Sequence, residues 1–424
     1  MLETFRNAWR IEEIRKKLLF TLMILFFYRV GASFIPVAGV NAAAISALVE
    51  QYSILGFLNM ITGGSLGQFT IFAIGISPYI TSSIVMQLLT FAIPALEKLS
   101  KEGGDEGKQK IQQITRYVTV GLATMMSIGM IFTLRSTSAT ILLRSNFLSY
   151  ATIVLSLVAG SMIVMWMAEK ITENGIGNGI SLVIMVGIVS RFPVGAISLG
   201  KSIWLGDITF WILLPLGLII VALFAGVVLI DNTERRIPIQ YAKRVVGRKM
   251  YGGQSTHIPM KLNSAGVLPI IFAMTLLQVP AMIAQFWPAS SFTLWYTRWL
   301  GTGTIIHSVL FAVLIIALGF FYNMITFNPI EISKNIQQYG GFVPGIRPGR
   351  PTSDYLGRIS SRLTMFGGIF LAVLATIPSL MVGMFYSGFS LTATGLLISV
   401  SVALETSKAL ESQMLMRHYK GFLK

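Results

Sequence analysis

Few side chains in this sequence of 424 residues are of a type and spacing that could do chemistry. Its three histidines, His257, His307 and His418, lie in different segments, and cysteine is absent. Disulfide frameworks and thiolate metal sites are therefore excluded, and the histidines make no recognisable ligand set. Most carboxylates fall in loops or tails. One phosphate-binding pattern is present, because Gly195 to Ser202 reads G-x4-G-K-S. Such a loop works between a strand and a helix, where free N–H groups cradle phosphate. Here it follows a long apolar run, and we read it as coincidence. Gly175-Ile-Gly-Asn-Gly179 is no dinucleotide fingerprint either. Its glycines and Asn178 suit a tight turn and a helix N-terminus. The expectation is a protein that is not an enzyme and needs no cofactor.

The elements that carry these residues are set by hydropathy. Apolar residues make up 54% of the chain and charged residues 12%, against about 25% charged in soluble domains. Mean hydropathy is +0.72. Apolar runs fall near 18–37, 70–94, 115–134, 149–168, 179–199, 210–230, 265–287, 304–327, 364–385 and 391–410. Each approaches the roughly 20 residues that a helix needs to cross a bilayer core. The expected fold is an all-α polytopic membrane protein with ten transmembrane helices. The basic start, Arg6 to Lys17, precedes a first run too long for a signal-peptide core, so that run reads as a retained span.

Charge sets the orientation. With the N-terminus cytoplasmic, 27 of the 33 Lys and Arg fall on the cytoplasmic side. External loops keep only Arg135, Arg144, Arg191, Lys201 and Arg298. That asymmetry places both termini in the cytoplasm. Two cytoplasmic loops, 231–263 and 328–362, are long and basic, which suits partner binding as well as simple retention. Inside the spans, Arg29 and Glu405 are the exceptional charges, and local pairing or snorkelling is the default account of each.

Ten spans divide into five and five, and an odd number per half inverts one half against the other. We take 1–200 and 201–424 as those halves. Gly75-Ile-Ser-Pro78 and Gly266-Val-Leu-Pro269 stand at matching places, each reading as a proline interruption of the second span of its half. Between the first two spans, Leu55 to Gly67 is apolar, glycine-rich and too short to cross. It is either a re-entrant piece sheltered at membrane depth or a surface loop.

Several strings resemble one family in order along nearly the whole chain. They are Phe72 to Ile84, Gly175 to Ser181, Arg235 to Arg244, Tyr251 to His257 with Lys261 to Gly266, and Gly341 to Gly349. The resemblance is to the bacterial SecY family of protein-conducting channels. It implies two inverted five-helix halves around an hourglass pore, hinged between spans five and six. Unfolded preproteins would cross the cytoplasmic membrane, and transmembrane segments would leave sideways into lipid between the second and seventh spans. The implied partners are SecE and SecG subunits, the SecA motor ATPase, the ribosome, signal sequences and nascent or precursor polypeptides, and membrane lipid.

Residue by residue, the resemblance implies a pore ring of Ile80, Ile84, Ile184, Ile188, Ile271 and Ile398. A narrow aliphatic collar dewets and resists ions. It implies a plug near 57–69, with Asn59, Met60, Ile61, Thr62, Gly63, Gly64, Ser65 and Leu66 at its centre. It places Ser83, Gln87, Asn263 and Leu268 at the lateral gate, Leu268 where many members carry Ile. Gln87 and Asn263 either pair across the gate or are satisfied separately, the latter being the default. Arg235, Arg236, Lys243, Arg244, Arg248, Arg347 and Arg350 are the implied docking residues for motor or ribosome. The competing reading is a secondary transporter of a small solute, since inverted repeats serve both classes. Sparse charges at membrane depth argue against it.

Overall fold

The computed structural model describes residues 6, 8–51, 59, 62–137, 146–204, 210–241, 244–246, 249–251, 255–263, 266–284, 286–287, 290–301, 304–385 and 390–421. Phe57, Leu58, Met60, Ile61, Lys243, Arg248 and residues 205–209 of the candidate hinge loop lie outside the described residues.

Every one of the ten apolar runs carries a helix. Among the described residues, five helices are each long and apolar enough to cross a membrane alone: Glu12–Phe34, Gly104–Arg135, Phe147–Asn174, Ile305–Thr326 and Arg350–Thr376. Others are shorter or bent. The second run folds as Ser77–Ala92 and then turns by 103° into a short amphipathic helix begun by Pro94. The fifth run breaks at Ser190, giving Gly179–Val189 and Phe192–Trp204. Asn178 caps the first of these, its side chain accepting from the N–H groups of Ile180 and Ser181. Gly195 to Ser202 lies inside the second piece, so its backbone amides belong to a helix and cradle nothing.

Pro78 and Pro269 do not interrupt helices, contrary to the sequence expectation. Each is the second residue of its helix, Ser77–Ala92 or Leu268–Ala284. A proline in the first turn gives up an N–H that would have no helical partner there. The preceding chain cannot be helical because Gly75 and Gly266 take φ values of +63° and +61°. The hydrogen bonds repeat as well. Ile76 O accepts from Tyr79 and Ile80, and Val267 O accepts from Ile270 and Ile271.

Between helices in lipid, close van der Waals contact at small residues replaces the hydrophobic effect as the cohesive term. Gly31 lets the Phe72 ring lie against the first helix, where Phe72 stacks on Tyr28 at 5.8 Å. Gly160 abuts the Ile71 carbonyl so closely that a Cβ there would overlap it. The neighbouring Ser161 hydroxyl donates to Gly75 O at 3.0 Å. These contacts fix the start of the Ser77–Ala92 helix against its neighbours.

The two long basic loops are built as one small domain rather than two free arms. Glu234–Tyr241 pairs antiparallel with Ser255–Lys261, and its far end pairs with Gly341–Phe342 from the other loop. The strand alternates, with Ile237 and Ile239 buried and their neighbours exposed. They pack with Met260, Ile336, Val343 and Leu356 into a separate apolar cluster. Helix Pro329–Gln338, capped by Asn328, closes this cluster.

Candidate functional site

All six candidate ring residues are buried, and all belong to one apolar cluster. Ile80 and Ile84 come from Ser77–Ala92, and Ile184 and Ile188 from Gly179–Val189. Ile271 comes from Leu268–Ala284 and Ile398 from Ser390–Gly421. Each pair on one helix is spaced i, i+4 and so shares a face. Leu268 packs against the cluster, partly buried. Ile80 and Ile271 each stand five residues after the left-handed glycine that precedes their helix.

The segment 62–70 is a compact run of turns, not a helix; it meets the ring helices at Gly187, while its own Leu66 and Phe69 pack in a second apolar cluster with Val37, Ile45 and Ile153. Thr62, Ser65, Leu66 and Asn59 are buried, as is Gly63, while Gly64 is half-buried. The segment is tied internally. Asn59 Oδ1 accepts from Gly67 N at 2.7 Å, Asn59 O accepts from Gly64 N, and Ser65 Oγ donates to Thr62 O. Its end is zipped to the chain leaving the first helix, with Val37 N donating to Phe69 O and Ile71 N donating to Ile35 O. Gly63 rests on Gly187, one residue before Ile188, and a Cβ on Gly63 would come within 2.9 Å of the Gly187 Cα. The Thr62 methyl lies against Gly75.

Arg29 takes part in this arrangement. Its guanidinium donates to Gly63 O at 2.6 Å. Arg191 flanks the next residue, its side chain about 3.1 Å from where a Gly64 Cβ would sit. The sequence flagged Arg29 as a charge inside a span but gave it no partner. The partner is a backbone carbonyl, which carries no side-chain signature.

The two candidate gate helices, Ser77–Ala92 and Leu268–Ala284, pack against each other. Their polar residues are satisfied separately. Gln87 Nε2 donates to Ser83 Oγ at 3.3 Å, whereas Asn263 Nδ2 donates to Asp231 Oδ1 at 3.2 Å and to Gly266 O at 3.1 Å. Lys408 Nζ also donates to Asp231 O. Asn263 thus moors the start of the second gate helix to the end of helix Phe210–Asn232. On the opposite flank, Ser82 Oγ donates to Thr115 O. Arg116 and Glu169 form a two-bond ion pair of 2.8 and 3.2 Å, joined by Gln112. Sequence reading missed this pair, although Arg116 and Glu169 stand at the same ends of two successive antiparallel runs.

Two aromatic contacts tie each gate helix to a flanking one, the first joining Ser77–Ala92 to Ile305–Thr326 and the second joining Gly104–Thr137 to the turn after Leu268–Ala284. Phe91 meets Phe321 edge-on at 6.0 Å, and Phe132 meets Phe286 at 6.2 Å. Such pairs contribute about 0.5–1.5 kcal/mol beyond area burial. A double-mutant cycle of Phe91→Ala and Phe321→Ala should therefore show a coupling of about that size. The readout is the open fraction between spin labels on the two gate helices. Strictly additive effects would mean that the rings do not hold the seam.

The candidate docking residues are spread over the small basic domain. Arg235 and Arg236 are exposed on one strand, and Arg236 pairs with Glu234 at 2.7 Å. Arg244 lies in a short second hairpin opposite Tyr251. Arg347 and Arg350 are exposed on the turn after Gly341–Phe342. That turn is pinned by Thr352 Oγ1 donating to Arg347 O and Ser333 Oγ donating to Gly349 O, with Gly345 and Gly349 at positive φ.

Comparison with known proteins matches this arrangement. The SecY family model aligns with residues 70–407. Over the whole of both chains, the sequence is 44% identical to the protein translocase subunit SecY of Streptomyces galbus. It is 41% identical to that of Mycobacterium tuberculosis strain H37Rv, again over both full lengths. Among solved structures, a protein-conducting channel superposes with a TM-score of 0.67 at 20% identity, covering 94% of this chain and 92% of that one. The Sec61 channel of a canine ribosome–channel complex superposes with a TM-score of 0.63 at 19% identity, with the same coverages. The alignment spans the candidate ring, the gate helices and both cytoplasmic arms, and on that match the chain belongs to the SecY family.

Proposed function

We infer that this chain is the central protein-conducting channel of a Sec translocase, passing unfolded preproteins across the cytoplasmic membrane and releasing apolar helices sideways into lipid. The observation that carries the reading is the convergence of six isoleucines from four helices into one buried cluster, with the 62–70 segment touching the helix of Ile184 and Ile188 at Gly187. Stiff β-branched side chains can close around an extended chain without reading its sequence. Emptied of polypeptide, the same collar sheds water and resists ions. The segment 57–69 acts as the plug, and 1–200 and 201–424 act as the two inverted halves. The basic cytoplasmic domain receives the SecA motor or the ribosome, SecE and SecG complete the complex, and both termini are cytoplasmic. No bond is made or broken in the chain itself, so the driving energy comes from those partners or from the membrane potential.

A photo-reactive amino acid at Ile84 tests this reading. The chain is reconstituted with its SecE-like partner and a SecA motor, and a secretory precursor is stalled halfway. The expected result is a cross-link to the precursor that depends on ATP. Vesicles that translocate but give no cross-link would remove Ile84 from the path. Vesicles with a competent motor that move no precursor, yet show saturable flux of a small solute, would favour the transporter reading.

A further inference from the structure

A groove of about 650 Å³ lies between helix Pro329–Gln338 and the base of helix Arg350–Phe385, apart from the ring, the plug and the seam. Arg358 and Arg362 line it, one helical turn apart and therefore on one face. Ser353 and Ser361 add hydroxyls, and Asp354 is the one acidic side chain lining it. Neither guanidinium has an ion-pair partner among the described residues; Arg358 donates only to the Asp354 backbone carbonyl, at 3.4 Å. The groove therefore presents two arginines against one carboxylate.

Depth identifies what can reach it. The apolar run on this helix begins near Thr364. At about 1.5 Å per residue, Arg362 stands roughly 3 Å and Arg358 roughly 9 Å outside the hydrocarbon boundary. The polar headgroup layer is about 5–7 Å thick on each side, so the two guanidiniums bracket it. Below them the same helix exposes Met365, Phe366 and Ile369, and Ile330 is exposed at the groove edge. Met365 and Phe366 follow Arg358 and Arg362 at helical spacings of seven and four. A cationic notch thus continues into an apolar stripe. That is the shape of a phospholipid with a net negative headgroup, because a choline group would bring a further cation to the notch.

We propose that this groove binds the phosphate headgroup of an anionic phospholipid from the surrounding bilayer, with its acyl chains lying along Met365 and Phe366. The arginines donate to the phosphate oxygens in the forked geometry that suits guanidinium. The lipid would then brace the base of the helix that carries the cytoplasmic domain.

The test uses the full channel complex in nanodiscs of phosphatidylcholine with a minority of phosphatidylglycerol, and measures lipid retained after delipidation by native mass spectrometry. Wild type should retain phosphatidylglycerol over phosphatidylcholine. The double variant Arg358→Gln/Arg362→Gln should lose that preference by roughly tenfold to thirtyfold, the scale for two basic residues near an anionic surface. Lys110→Gln/Lys170→Gln, which removes as much charge on helices away from the groove, should keep it. Equal retention by wild type and the arginine variant, both showing unchanged thermal melting, would overturn the proposal. So would displacement of the lipid by millimolar inorganic phosphate, since the groove would then read any phosphate rather than a bilayer lipid.

Discussion

Replacing Arg29 with alanine is expected to raise the ion leak of the idle channel roughly 10- to 100-fold. The guanidinium donates to the Gly63 carbonyl at 2.6 Å and is the tie between the first helix and the candidate plug segment at that residue. A hydrogen bond to a charged group contributes about 1.5–3 kcal/mol. Each 1.4 kcal/mol is a factor of ten in an equilibrium. Loss of the bond should shift the segment from seated toward displaced by one to two powers of ten. The rest of the fold should survive, because Asn59, Thr62 and Ser65 hold the segment together without Arg29. Single-channel conductance in planar bilayers, without motor or precursor, reads this directly. Arg29→Lys retains a donor and should recover part of the seal. A leak in Arg29→Ala equal to wild type would show that the carbonyl contact does not hold the plug.

Reversing charge at Arg347, as Arg347→Glu, should lower motor-driven translocation at limiting motor concentration by at least about 30-fold. Arg347 projects from a turn whose backbone is fixed by Thr352 and Ser333. An exposed guanidinium on a rigid mount loses little freedom when a carboxylate or phosphate pairs with it. Breaking a well-formed charge pair in an interface costs about 2–5 kcal/mol. Because the side chain is exposed, the variant should melt at the wild-type temperature. If translocation is unimpaired while Arg235→Glu abolishes it, the docking surface lies on the hairpin strand instead.

Much of this architecture could be read from hydropathy because lipid imposes a simple rule, namely that each crossing segment must be apolar for its full length. Each of the ten expected runs carries a helix, two of them broken, and the Asn178 cap is where its residue type placed it. Proline was misread because its meaning depends on register. Pro78 within 70–94 looks like a kink until Gly75 is known to hold a left-handed φ and start the helix afresh. The cytoplasmic domain was legible only as two basic loops. Its sheet joins residue 240 to residue 342, and no local pattern announces a pairing over that distance. The candidate ring is ordinary isoleucine by type and came forward only through resemblance. The Arg29 contact was invisible because its acceptor is main chain.

The paired helix starts carry a further consequence. Gly75 with Pro78 and Gly266 with Pro269 set Ile80 and Ile271 at the same step of two helices. By the charge asymmetry those helices run through the bilayer in opposite senses. The likeness ends at those two positions, because 1–200 brings four of the candidate ring isoleucines and 201–424 brings two. Symmetric or not, a passive constriction cannot rectify the motion of a chain threaded through it, and an untethered polypeptide would diffuse backward as easily as forward. Directionality must therefore be imposed from outside the constriction, and the small domain built from the two basic loops offers a partner the place to impose it.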